Sequence, residues 1–267
     1  MVNRTIASEG DDLMSIHVTN LSKTFTEDEG EELVVLDDID VTVGDGEFYT
    51  VMGPSGCGKS TLLNILAGTI PMDRGEIEYA GSPISPTDLP VGYVFQEPRL
   101  LNWRTVGENV DLVLRERDLS KSQREERIVD VLEMVGLHDE RESYPLRLSG
   151  GMRQRVGIAR ALAVDPSILL MDEPFSSLDE LTARNLRDDL LDLWKSTEKT
   201  IIFVTHDISE AVYLSESVTF LDTRGRIFHQ SEIEHDRPRE PDDPALLETE
   251  AALMKTFFDH MATIQSV

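Results

Sequence analysis

Residues Gly53-Pro54-Ser55-Gly56-Cys57-Gly58-Lys59-Ser60 satisfy G-x-x-x-x-G-K-[ST] at every fixed position. Glycines at these spacings let backbone N–H groups converge on a β-phosphate, and a helix starting at the loop's end adds its positive pole. Lys59 is placed to reach β- and γ-phosphates and Ser60 to ligate Mg²⁺, with Thr61 following as the next cradle residue. Cys57, the single cysteine, reads as a small loop filler rather than a reactive thiol. A second pair, Asp172-Glu173, closes the apolar run Ile168-Leu169-Leu170-Met171. Open α/β sheets bind ligands at the carboxyl ends of their strands. There Asp172 would hold Mg²⁺ through water, and Glu173 would polarise an attacking water as general base.

These motifs need strands and helices to hold them. Phe48–Met52 reads as a buried strand running into the loop, and Thr61 to Ala67 as the helix after it, with Gly68 as its stop. Short continuous apolar runs at 168–171 and 201–204 suit strands buried on both faces of a parallel sheet. A helix over 180–197, with Leu186, Leu190 and Leu193 on one face, connects them. Alternation at 15–19 and 41–43 predicts half-buried strands around an acidic loop, 27–32. Further strands are expected at 76–79 and 91–95, and a hairpin at 218–221 and 226–229 around Arg224-Gly225. From about 104 to 164 the texture is helical. Thr105 with Glu108, and Ser122 with Glu125, are spaced as capping boxes. Ile128, Val131, Leu132 and Val135 make one apolar helix face stopped by Gly136. The last stretch begins polar and Pro-containing, with Asp236-Arg237-Pro238-Arg239 as a loop, and ends in a short helix near 251–261.

The chain has 267 residues, 25 Lys and Arg against 51 Asp and Glu, and a formal net charge of −26. That balance argues against a nucleic-acid groove, which needs a basic footprint. One cysteine excludes an intramolecular disulfide and a cysteine-ligated metal cluster. No apolar run approaches the ~18 residues of a membrane span, and the acidic start lacks the pattern of a signal peptide. The sequence therefore reads as an acidic, soluble, intracellular protein. So large a surplus of carboxylates would destabilise a compact chain by self-repulsion at ordinary ionic strength. At molar salt the screening length falls to ~3 Å, so the charge points to a halophile's cytosol, the alternative being an acidic protein of an ordinary cell.

Five further motifs accompany these: Gln96 after the strand at 91–95, Leu148-Ser149-Gly150-Gly151-Met152, Ser176-Ser177-Leu178-Asp179 and His206 after Val204-Thr205 in that order, and Phe25 in Leu21-Ser22-Lys23-Thr24-Phe25 ahead of the P-loop. On these the chain resembles the nucleotide-binding subunit of an ABC transporter across residues 14–230, with 1–13 as a flexible tail and 231–267 as a C-terminal extension. The resemblance implies an α/β P-loop NTPase with a RecA-like parallel-sheet core, an N-terminal antiparallel β-subdomain and an inserted helical subdomain at about 98–164. Gln96 matches the Q-loop, residues 148–152 the signature, Asp179 the D-loop and His206 the H-loop. Phe25 has two readings: the aromatic that stacks on adenine, or a core residue.

The resemblance implies ATP and Mg²⁺ as ligands, with Ser60, Gln96 and Asp172 around the metal and Glu173, His206 and Gln96 as catalytic groups. Two copies would pair head to tail. Each ATP would lie between the P-loop of one, residues 53–61, and Ser149, Gly150, Gly151 and Asp179 of the other. Met152 departs from the usual glutamine. With Leu100-Leu101-Asn102-Trp103-Arg104-Thr105-Val106, it makes the chain similar to the nitrate/sulfonate/taurine branch of importer ATPases. The implied partners are transmembrane permease subunits and, indirectly, a solute-binding protein, at the cytoplasmic side of the membrane. The alternative is a non-transport ABC ATPase acting as a soluble assembly or scaffold factor. A P-loop small-molecule kinase would leave the signature and His206 unexplained.

Overall fold

The structure is a computed structural model that describes residues 15–26 and 30–265. The expected tail over 1–13 and residues 27–29 of the acidic loop lie outside the described residues. The chain divides into two compact units: one runs to Leu89 and resumes at Thr205, the other is Pro90–Val204.

In the first unit, β1 (Ile16–Thr26) and β2 (Glu32–Val43) pair antiparallel, from Ile16 opposite Val43 to Thr26 opposite Glu32. Both strands outrun their expected lengths, and Glu32 opens a strand instead of closing a loop. The alternation is interrupted after Val18, where the register shifts, and Asn20 and Asp38 take left-handed φ of 51° and 60°. Such bulges break the period-2 signal without ending the strand. Next come β3 (Phe48–Met52), buried along its whole length, α1 (Lys59–Leu66), β4 (Arg74–Tyr79) and the short β5 (Ser82–Pro83). β2, β1, β4 and β5 form one sheet in that order. Gly68 stops α1 as expected, at φ 68°.

The second unit opens with β6 (Val91–Val94), followed by α2 (Val106–Leu114), α3 (Lys121–Met134) and α4 (Gly150–Ala163). β7 (Ile168–Asp172), α5 (Glu180–Thr197) and β8 (Thr200–Thr205) follow. β7 pairs parallel with both β6 and β8. The Thr105–Glu108 capping box is present on α2. The second expected box is not: Ser120 and Gln123 form it, and Ser122 and Glu125 lie inside α3. The earlier frame prevails because it adds a first helical bond, Arg124 N to Ser120 O at 3.0 Å. Leu186, Leu190 and Leu193 are buried on α5 as their spacing predicts.

From Thr205 the first unit continues through α6 (Ile208–Leu214), β9 (Ser217–Leu221), β10 (Ile227–Glu232) and α7 (Pro244–Gln265). β9 lies parallel to β3 and antiparallel to β10, the expected hairpin. The terminal helix is much longer than 251–261. Pro244 supplies a favourable first residue, and Asp243 Oδ1 accepts from Ala245 N at 2.9 Å. Leu246 and Leu253 on α7 enter a core with Met52, Ile208, Val212, Val218 and Phe220, joined by Phe257. Each such side chain contributes roughly 1.5–3 kcal/mol by burial. Among the described residues no helix is long and apolar enough to cross a membrane.

Candidate nucleotide site

In the first unit, fully buried β3 fixes where the loop begins, and α1 where it ends. Gly58 precedes α1 at φ 102°, ψ 1°, and no side chain caps the helix. Its backbone has no room for a side chain either: a Cβ there would lie 2.6 Å from Val35 O. A Cβ on Gly53 would meet Cys57 Sγ at 2.6 Å and Leu221 O at 2.7 Å. Lys59 is buried, and its Nζ donates to Gly53 O at 2.8 Å and Pro54 O at 3.0 Å, folding the loop around the ammonium group. Ser55, Gly56 and Ser60 are exposed; Pro54 and Thr61 are half-buried. Cys57 is a buried free thiol, pushed up in pKa by burial against the opposing pull of Lys59, as befits a loop filler. Its N–H is turned inward to Pro54 O at 3.3 Å.

His206 is exposed one residue past β8. Its neighbours hold the backbone firmly. Thr205 Oγ1 donates to buried Glu210 Oε2 at 2.7 Å and accepts from Asp207 N at 3.0 Å, while Asp207 caps α6 by accepting from Ser209 N at 2.8 Å. Phe25 lies near the end of β1, 37% exposed, with Lys23 Nζ 5.2 Å from its ring centroid. That exposure leaves a ring available for stacking rather than a core side chain.

In the second unit, β7 delivers Asp172 half-buried, and Tyr93 from β6 donates to its Oδ2 at 3.2 Å. Burial, then the Asp172 charge, push the Tyr93 phenol well above its ordinary pKa, so it stays a donor. Glu173 takes φ 41°, left-handed for a non-glycine residue, and its N–H donates to Val204 O at 2.9 Å. Strain of this kind persists only where surrounding bonds over-determine it. Gln96 Nε2 donates to Ser176 Oγ at 3.0 Å, and that hydroxyl donates to Glu173 O at 2.9 Å. The glutamine, the D-loop serine and the strand-end glutamate are thereby linked.

Ser149 caps α4, its Oγ accepting from Met152 N at 3.2 Å. Gly150 and Gly151 face the start of α5: Cβ atoms there would stand 3.1 Å from Leu178 Cδ2 and 2.5 Å from Thr182 Cγ2. Asp179 caps α5, accepting from Thr182 N at 3.1 Å. Signature and D-loop residues thus pack together within this unit. Sequence reasoning places Ser176 in a motif without its bonds to Gln96 and Glu173, and misses Tyr93, Glu210 and Gln154, whose Nε2 donates to Phe95 O at 3.1 Å. Gln154, a polar residue on the buried face of α4, is the readable signal among them.

A strand–loop–helix cradle, a strand-end carboxylate pair and a capped glycine signature match the model described as "ABC transporter" over residues 36–176. The chain belongs to the ABC transporter family. An ABC transporter ATP-binding protein of Methanocaldococcus jannaschii is 43% identical over 93% of this chain and 93% of its own length. The aliphatic sulfonates import ATP-binding protein of Bacillus subtilis is 41% identical, covering 81% of this chain and 84% of that one. The taurine import ATP-binding protein of Shigella boydii is 45% identical over 73% and 77%. A dimeric ATP-binding cassette in a post-hydrolysis state with ADP and Pi matches at 32% identity and TM-score 0.70, over 83% of this chain and all of that one. The ABC ATPase fold expected from the sequence is thus the fold observed.

Proposed function

We propose that this ABC ATPase energises an importer for a small sulfonate-, taurine- or nitrate-like solute by ATP-driven closure of a head-to-tail dimer. Likeness to import ATP-binding proteins along most of the chain carries this reading. The soluble scaffold alternative has no comparable support. Its partners on this reading are permease subunits and, indirectly, a solute-binding protein, and the ATPase works against the cytoplasmic face of the membrane.

The donor chemistry fits the ligands. Gly56, at φ 82° with no atom within 4 Å of where a side chain would begin, leaves open space on the cradle. Ser60, Asp172 and Gln96 offer the hard oxygens that Mg²⁺ takes one or two at a time beside phosphate oxygens. Bound Mg²⁺ would supply charge neutralisation on those phosphates. Lys59 and backbone N–H groups of the loop, those of Pro54 (which has none) and inward-turned Cys57 apart, bind β- and γ-phosphates, Phe25 stacks on the base, and His206 holds the attacking water and γ-phosphate. Glu173 takes the water's proton. Ser149, Gly150 and Gly151 of the second copy close over the γ-phosphate, and Asp179 couples the two sites. The acid surplus suits a high-salt cytosol; ATPase activity lost on raising KCl from dilute to molar would contradict that assignment.

Glu173→Gln tests the mechanism. ATP binding should persist, turnover should fall about 10³-fold, and an ATP-bound dimer should accumulate on size-exclusion chromatography. Turnover near the parent's would refute the general-base role.

A further inference from the structure

The C-terminal extension lies beyond the residues matched by the family model, yet it reaches back to the helix that follows His206. Arg239 is buried, and its guanidinium donates to five backbone carbonyl oxygens. Three are at the end of α6 and just beyond: Val212 at 2.7 Å, Tyr213 at 3.3 Å and Ser215 at 2.6 Å. Two follow β10: Ile233 at 3.1 Å and His235 at 3.2 Å. Arg237 adds a bond to Leu214 O at 2.5 Å. The terminal carbonyls of a helix have no partner of their own, and a cation there also meets the negative pole. Only a guanidinium has enough N–H donors, in a fixed fork, to serve so many acceptors.

α6 has seven residues, too few to be stable unaided, and spans about 10 Å. Its C-terminal end is held by Arg239. From its first turn Glu210 accepts the Thr205 hydroxyl, and Thr205 directly precedes His206. We propose that Arg239 is a positioning residue for His206, gripping the far end of α6 so that Glu210 and Thr205 hold the histidine in place. This rests on the role given to His206 above. The extension is on this view part of the catalytic scaffold, and the Arg237-Pro238-Arg239 stretch is its clasp.

Steady-state ATP turnover of the purified full chain tests this with Arg239→Lys, His206→Ala and the double variant. Lysine keeps the charge but has three donors and no fork. In the parent background Arg239→Lys should lower kcat about tenfold and leave KM for ATP within about twofold, since misplacing a reacting group affects the chemical step. On top of His206→Ala the same change should alter kcat less than about twofold, because the two act as one unit. An equal loss in both backgrounds, or no loss in the parent, overturns the inference. His206→Ala turning over like the parent would instead overturn the role of His206, and the proposal with it. If Arg239→Lys does not fold, Thr205→Val tests the other end of the relay. A kcat-only loss supports the proposal and an unchanged kcat overturns it.

Discussion

The P-loop and the signature segment are both glycine-rich and both lead into a helix, but they use glycine for different reasons. At Gly58 the backbone is left-handed, φ 102°, and the obstacle to a side chain is a backbone carbonyl, Val35 O. At Gly151 the obstacle is a side-chain methyl group, Thr182 Cγ2. The helix poles differ in the same way. No side chain caps α1, whereas α4 and α5 are capped by Ser149 and Asp179. An uncapped pole in a rigid loop suits direct anion binding. A capped pole packed against its neighbour suits a surface whose ligand arrives only when another body closes on it.

Substitutions can break this contrast. Gly58→Ala forces an L-residue into the left-handed region and into a backbone oxygen, neither of which a second mutation can relieve. We expect a loss of at least about 3 kcal/mol of stability and of ATP binding, read by thermal unfolding with and without nucleotide. Gly151→Ala should cost about 1–3 kcal/mol by overpacking, because threonine in a helix is stiff at χ1. Here a second-site change should help: Thr182→Ser removes the offending methyl and should restore most of the stability. If Thr182→Ser rescues nothing, the signature glycine is constrained by its backbone like Gly58, and the contrast fails.

The same difference governs how much could be read from sequence. The P-loop was legible because its requirements are local: a strand, a fixed glycine spacing and a helix lie within some twenty contiguous residues. The roles of Gln96, Ser149 and His206 came from matching a family, since their partners, Ser176 for one, lie far along the chain. Ser122 competes with Ser120 for the cap in the sequence because two overlapping capping frames exist and only helical hydrogen bonds choose between them. β1 was cut short because a bulge erases alternation. Arg239 was invisible as anything but a loop residue, because its acceptors are backbone carbonyls of α6 and of the residues after β10, and carbonyls have no sequence signature.

A smaller effect sharpens the comparison at the capped pole. Ser149 Oγ accepts from Met152 N, which leaves the hydroxyl hydrogen to donate outward. Ser149→Ala should remove the cap, at about 1 kcal/mol, and also the donor. Ser149→Asp keeps a cap acceptor but puts a negative charge where a phosphate would arrive. Equal stability loss and equal ATP-dependent dimerisation defects in the two variants would count against a phosphate-facing signature. The expected result is near-parental stability for Ser149→Asp with a far larger dimerisation defect.

The smallest effect belongs to Asp179. The hydrogen bond from the Thr182 side chain, then that from its N–H, hold the carboxyl below its ordinary range. A depressed folded-state pKa stabilises fully above the unfolded value, near ~3.9. That stabilisation is lost as pH falls through the folded value. Asp179→Asn keeps a cap acceptor and removes the titration, so parent and variant should converge in thermal stability at low pH and separate slightly above it. The exposed position makes that separation small. A dimerisation defect much larger than this separation, measured at neutral pH with ATP, would mean that the carboxylate acts beyond its own helix, in contact with the second copy. Dimerisation tracking stability alone would reduce Asp179 to a cap, and would leave Ser149 as the capping residue of this unit with a second role across the dimer.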